Sequence, residues 1–253
     1  MGTKRKSWIL REKDVLYVEE NHDGRYGAPG EKRKPKRKLT PEDIQRVNVW
    51  NKTKNARLLL MEYFFPGDLW VTYTYRPENR PPDMATAKDQ FSKAMGKLRR
   101  IYKKRGKELR WIRNIERGTK GAWHIHFVIN EIGDTASLVE RVWPYGGIYV
   151  VQIKKSMCPE EDFKKLASYL TKDEKTREKK QDGTPAKPRL REASYSHSRN
   201  MPLPEPKSKK LVRWPKEIKS KKGYYIAESF EGINPVTGYK YRHYTMIKLN
   251  RRI

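Results

Sequence analysis

One cysteine, Cys158, stands in 253 residues. That leaves no intramolecular disulfide and no multi-cysteine zinc site, and it suits a reducing compartment. No apolar run approaches the ~18–20 residues that span a bilayer, and residues 1–11 lack the long apolar core of a signal peptide. The expectation is an intracellular, cytoplasmic chain with no membrane partner. Acidic residues are scarce, 30 against 58 Lys and Arg, for a formal net charge of +28. Such a field attracts polyanions. Seven Trp, fifteen Tyr and six Phe supply a core and stacking partners for bases, which favours nucleic acid over a membrane surface as the partner. A Gly-x4-Gly-Lys-Ser/Thr phosphate loop is also lacking, so any strand separation falls to another protein.

The length allows one principal domain of roughly 100–200 residues with appended segments. Residues 1–57 read as a basic N-terminal arm. Its first forty residues hold two charge-rich stretches, including KRKPKRK at 32–38, around a Gly-rich patch at 21–30. From Leu58 the chain turns apolar, and a Pro66-Gly67-Asp68 turn leads into a strand over 69–76, rich in aromatic and β-branched residues. Phe91, Ala94, Met95, Leu98, Ile101 and Tyr102 then recur at steps of three and four. This spacing predicts an amphipathic helix over about 85–104 with a basic outer face, closed by Gly106. Residues 111–116 and 122–130 read as strands paired antiparallel across a turn at 118–121. A strand at 147–154, a helix at 160–175 and a late hairpin of 224–230 with 239–249 follow. The expected domains are thus a core at 58–175, a basic Pro-rich segment at 176–210, and a C-terminal hairpin extension at 211–253 packed on the core. Strands and helices mix without regular alternation, which makes the class α+β.

The residues that carry chemistry begin with Trp123-His124-Ile125-His126-Phe127-Val128-Ile129. Side chains alternate along a strand, so Trp123, Ile125, Phe127 and Ile129 share one face and His124, His126 and Val128 the other. Two imidazoles two residues apart can converge on one cation. Glu116, across the proposed turn, could add a carboxylate and leave coordination positions open. A bare His-x-His pair can equally be a solvated or hydrogen-bonded pair, and a glutamate on a strand is ordinary. On the later helix, Phe163, Leu166, Ala167 and Leu170 form the apolar stripe, and Tyr169 and Lys172 stand three residues apart beside it. A free phenol titrates near ~10, so a nucleophilic tyrosine needs a cation close by.

The order Trp70-Val71-Thr72-Tyr73-Thr74, then Glu116 with His124-Ile125-His126, then Tyr169-Leu170-Thr171-Lys172 resembles the three successive motifs of HUH replication initiators. These are the rolling-circle Rep proteins of plasmids, phages and small circular DNA viruses. The resemblance runs from about Leu58 to Lys175. It implies a central antiparallel sheet of about five strands flanked by helices (HUH/RRM-like), with the two-histidine strand central and the tyrosine helix across it. It makes His124 and His126 metal ligands, Glu116 a third ligand, Tyr169 the nucleophile and Lys172 its electrostatic helper. The first motif strand would lie beside the site, giving Thr72, Tyr73, Thr74 and Arg76, with Trp123, as DNA contacts. Relatives with paired tyrosines carry a second one shortly after the first. Here Asp173 stands four after Tyr169, as in a single-tyrosine member.

The resemblance further implies a divalent cofactor, Mg2+ or Mn2+, and single-stranded or hairpin DNA at a replication origin as substrate. The products are a 5′-phosphotyrosine link and a free 3′ hydroxyl, with a host helicase and DNA polymerase as partners. How a round ends stays open between the Tyr169 of a second protomer, in a dimer, and a water activated by Asp173 or Glu174. A single-tyrosine transposase is the alternative within the same chemistry; relaxases usually place the tyrosine before the histidines. From other classes, a non-catalytic single-strand binding module could stack bases on Tyr73, Tyr75, Trp111 and Trp123, and a zinc hydrolase could use a two-His, one-Glu site with water as nucleophile.

Overall fold

The computed structural model describes residues 3–22, 38–155, 163–174, 176, 184, 186–187, 189–234 and 239–249. In chain order its strands are β1 (Thr3–Leu10), β2 (Val15–His22), β3 (Leu69–Thr74), β4 (Trp111–Gly118), β5 (Trp123–Ile129), β6 (Ile148–Gln152), β7 (Leu190–His197), β8 (Lys207–Leu211), β9 (Tyr224–Ile233) and β10 (Lys240–Lys248). Its helices are α1 (Pro41–Tyr63), α2 (Met84–Lys104), α3 (Thr135–Val142) and α4 (Lys164–Leu170). The chain divides into two compact units, residues 52–202 and residues 1–51 with 203–253. Each is built on a five-stranded antiparallel sheet, so the fold is α+β as expected. Among the described residues no helix is long and apolar enough to cross a membrane.

In the unit of residues 52–202 the strand order is β6-β3-β5-β4-β7, with the two-histidine strand in the centre. The alternation of β3 and β5 sends Leu69, Val71, Tyr73, Trp123, Ile125, Phe127 and Ile129 into one core. There α2 covers them with Phe91, Ala94, Met95, Leu98 and Tyr102, and α3 adds Leu138, Val139 and Val142. Asp83 caps α2 by accepting a hydrogen bond from the Thr86 backbone N–H. Gly106, with φ +66°, turns the chain away after it, a conformation that costs a glycine little. Gly146 is required for a different reason: a Cβ there would meet the Thr74 carbonyl oxygen at 2.2 Å, so the loop before β6 can lie against the end of β3 only without a side chain.

The other unit corrects the reading of a basic arm. Residues 3–22 form β1 and β2 of a sheet ordered β8-β1-β2-β10-β9, and α1 follows. Trp8, Leu10, Val15 and Tyr17 are buried. The charges that made this stretch look solvated are accommodated in the sheet: Glu20, fully buried, takes Arg5 on one carboxylate oxygen and Arg242 on the other. The β1–β2 turn carries no glycine or asparagine. Arg11, Glu12 and Lys13 all hold positive φ there, which left the hairpin without a sequence signal. The KRKPKRK run lies, apart from Lys38, outside the described residues.

Two later expectations also change. Inside the segment read as basic and extended, β7 pairs with β4 and completes the first sheet, while β8 is an edge strand of the second. The C-terminal hairpin β9–β10, expected as an extension on the core of 58–175, is instead part of the second sheet, where β10 pairs with β2.

Candidate functional site

Antiparallel register builds the site on the sheet face opposite the core. One row across the strands aligns Thr72, His126, Asn114 and Tyr195; the next aligns Thr74, His124, Glu116 and Ala193. Directly opposed residues in such a ladder point to the same side. The expected histidine pair and carboxylate are therefore neighbours, with Glu116 directly across from His124 and diagonal to His126. A third row, Trp70 with Val128, Ile112 and His197, extends the same face.

Hydrogen bonds fix the orientation of these groups. Thr72 Oγ1 lies 3.0 Å from His126 Nδ1, which leaves Nε2 directed at Glu116 Oε2, 3.8 Å away. That gap is too long for a hydrogen bond. Asn114 Nδ2 donates to Glu116 Oε1 at 2.9 Å and to the Lys172 carbonyl at 3.0 Å, so one amide ties the carboxylate to the segment after α4.

Burial sets the charge states. It pushes the Glu116 carboxyl up to about 7, with Lys172 and the Asn114 hydrogen bond opposing, and it lowers His124. Burial, together with His124 and Lys172, brings His126 down to about 4. Between those values the two groups that face each other are a neutral acid and a neutral imidazole, not an ion pair.

The helix expected over 160–175 is described from Lys164 to Leu170; residues 156–162 and 175 lie outside the described residues. After Leu170 the Thr171 hydroxyl donates to the Ala167 carbonyl and also lies 2.8 Å from the Thr53 hydroxyl. Lys172 is therefore not on the helix, and the pair expected at helical spacing is made by a turn. Its Nζ still sits 4.7 Å from the centre of the Tyr169 ring. Tyr169, about a third exposed, lies edge-on to both His126 and Trp70, with centroids 5.3 Å away in each case. A cavity of about 160 Å³ opens beside it, lined by Glu116, Lys172, Asp173, Thr176, Lys187 and Arg189 among others. Asp173 is held at its side by Lys52 at 3.6 Å and by the Thr176 hydroxyl.

The donor chemistry suits a divalent cation. His126 is unprotonated near neutral pH, as a ligand must be, and Nε2 and Oε2 at 3.8 Å can both reach one ion at ligand distances of ~2.0–2.2 Å. The fit is incomplete as the side chains stand: among the described residues no three His, Cys, Asp or Glu groups are gathered closely enough to form a metal set. The His124 and His126 rings lie nearly parallel with their centres 6.0 Å apart.

Of the residues expected to contact DNA, Thr72 and Thr74 lie on the site face and Arg76 is exposed. Tyr73 and Trp123 are corrected. Both point into the core, 0% and 2% exposed, and the Tyr73 hydroxyl donates to the Val139 carbonyl. The same burial, with Tyr75 at 8%, withdraws three of the four rings proposed for base stacking in a non-catalytic module; Trp111 is half-buried. Sequence reasoning missed Asn114, Tyr195, Lys187 and Arg189 as site residues and gave Trp70 no role. Only Trp70 and Asn114 had a signal, their alternation with Thr72 and Glu116.

Residues 68–174 match the family model described as Replication-associated protein ORF2/G2P. The match covers somewhat under half of the 253 residues, takes in Glu116, both histidines, Tyr169 and Lys172, and is consistent with a replication initiator. No curated protein and no solved structure matches the chain.

Proposed function

From a replication-associated match that spans the His-x-His strand and Tyr169, we infer that this protein initiates DNA replication by nicking a single strand through a covalent tyrosine intermediate. The observation that carries the reading is the Tyr169 ring against His126, with the Lys172 ammonium over the same ring. A nucleophile, a ligand-type imidazole and a cation meet on one face of the sheet.

In the proposed reaction the Tyr169 oxygen attacks the phosphorus of a phosphodiester in line. The bond from phosphorus to the 3′ oxygen breaks, and a phosphotyrosine forms on the 5′ side. The proton lost by the phenol is balanced by the one gained at the free 3′ hydroxyl, which can prime a polymerase. The link keeps the energy of a phosphodiester, so a hydroxyl can reverse the step and rejoin ends. Lys172 balances the negative charge of the phenolate and the phosphate, and Asn114 holds Glu116 and the Lys172 backbone in register. Lys187 and Arg189 bring two more cations to the cavity beside Tyr169, on the path of the strand's phosphates. Magnesium or manganese held by His126, Glu116 and His124 would polarise a non-bridging phosphate oxygen. A host helicase and polymerase are the partners this chemistry needs.

The test mixes labelled single-stranded DNA pools with the protein and Mn2+ or Mg2+, then denatures in detergent. A covalent protein–DNA band lost in Tyr169→Phe and in His126→Ala is expected. Cleavage without a band would make water the nucleophile, as in a zinc hydrolase, and tight binding with neither would leave a binding protein.

A further inference from the structure

The unit of residues 1–51 and 203–253 contains a groove that the nicking reading does not use. Its volume is about 740 Å³, and its floor is the sheet face formed by Leu16 and Val18 of β2 and Tyr244 and Met246 of β10. Its rim is cationic: Arg5 from β1, and Lys216, Lys219 and Lys221 from the segment between β8 and β9, with Glu217 the one carboxylate among the lining residues. Register extends the positive face further. Lys207 stands opposite Ser7 and Lys209 opposite Arg5, so both β8 lysines point to the same side as the groove. The three rim lysines are exposed, and Glu20, buried in this face, already has both carboxylate oxygens engaged by Arg5 and Arg242. The segment is placed over the sheet in part by Trp214, whose ring receives the Arg242 guanidinium at 5.0 Å.

We propose that this groove is a second binding site, for the sugar–phosphate backbone of a single strand of DNA. The division into floor and rim selects that ligand. A free phosphate or a metal ion has no use for an apolar floor, and an apolar peptide has none for an almost unbroken cationic rim. A strand laid lengthwise puts its sugars over the narrow apolar area that Leu16, Val18 and Met246, 5–8% exposed, leave open between the rim lysines, and its phosphates beside those lysines. Tyr244 is buried with its hydroxyl at Glu20, so no ring is offered for stacking and recognition is independent of sequence. The strand is DNA because residues 68–174 carry the replication-associated match.

The experiment needs no cleavage, so its failure is separate from failure of the nicking reading. The full-length Tyr169→Phe protein is titrated with a labelled DNA strand across a series of salt concentrations. Each phosphate contact to a single strand contributes roughly 0.7 to the slope of log affinity against log salt. The triple variant Lys216→Ala, Lys219→Ala, Lys221→Ala is expected to lose about 2 from that slope. The control Lys97→Ala, Arg100→Ala, Lys104→Ala, on the exposed outer face of α2, is expected to lose little. Equal loss in both triples would mean diffuse attraction to a basic protein and would overturn the proposal, as would an unchanged slope in the groove triple. Tighter binding of an RNA strand of the same sequence would overturn the choice of DNA. A bromodeoxyuridine-substituted strand, crosslinked by light, is expected to mark peptides within 212–221; crosslinks confined to 68–174 would contradict the site.

Discussion

The feature that most constrains the chemistry is the neutral pair formed by Glu116 and His126. Glu116 has a folded value raised to about 7, so the stability it contributes is full below the ordinary carboxylate range and is lost as pH rises through 7. His126, lowered to about 4, works in the opposite sense: its contribution is full above ~6.5 and is lost as pH falls through 4. In metal-free protein the two nearly offset between about 4.5 and 6.5, and Glu116 alone weakens the fold from there to about 7. Glu116→Gln takes away the falling limb and leaves that of His126, so stability is expected to rise with pH between about 4.5 and 6.5 in urea titrations, where the unaltered protein is nearly flat; an unchanged profile would contradict the buried acid. Asn114→Ala leaves that acid and the Lys172 carbonyl without their shared donor, at a cost of about 1–3 kcal/mol. It should slow nicking more than it weakens binding to a DNA strand, as separate gel-shift and cleavage assays would report. His124, His126, Glu116 and Tyr169 were legible in the sequence because strand alternation and one helical stripe decide which way they point. Tyr195, Lys187 and Arg189 were not, since their place depends on β7 pairing with β4 some 80 positions earlier in the chain.

Among elements, legibility followed the strength of the local period. Strand β3, helix α2 and the β4–β5 pair matched their expected spans within a few residues because an apolar face, an Asp83 cap and glycine-bearing turns all agree there. Helix α1 escaped, although Thr40 and Asp43 exchange capping hydrogen bonds around Pro41. Ile44, Val47 and Trp50 are exposed in its first half while Leu58, Leu59, Leu60 and Met61 are buried consecutively in its second, so no single stripe runs its length. Strand β7 escaped because LREASYSH holds almost no aliphatic residues, as suits a strand at the edge of its sheet. The core side of β5 should be the most sensitive part of the unit of residues 52–202. Phe127→Ala, which empties a fully buried site touching the Tyr73 and Phe91 rings, is expected to cost about 3–5 kcal/mol in denaturant titrations. A loss under 1 kcal/mol would mean that the core is looser than its packing implies.

For the whole molecule, the net charge of +28 foretold an attraction to polyanions but not where the charges sit. What reads as a basic arm at the N-terminus and a hairpin extension at the C-terminus folds, in its described residues, into one sheet whose central strand β2 joins the N-terminal strand β1 to the C-terminal strand β10. Deleting residues 1–22 should therefore not trim a dispensable arm. It removes two of five strands and uncovers Tyr244 and Met246, and residues 203–253 are expected to become rapidly susceptible to limited proteolysis. Unchanged protection would contradict the sheet. The account as a whole rests on one atom, the hydroxyl oxygen of Tyr169. The most direct measurement is to trap the intact protein on single-stranded DNA with manganese, digest with nuclease and trypsin, and weigh the peptides. A nucleotide mass on the peptide of residues 166–172, at Tyr169, is the predicted result. That mass on Tyr149 or Tyr195, or no nucleotide-bearing peptide from DNA that has been cut, would contradict it.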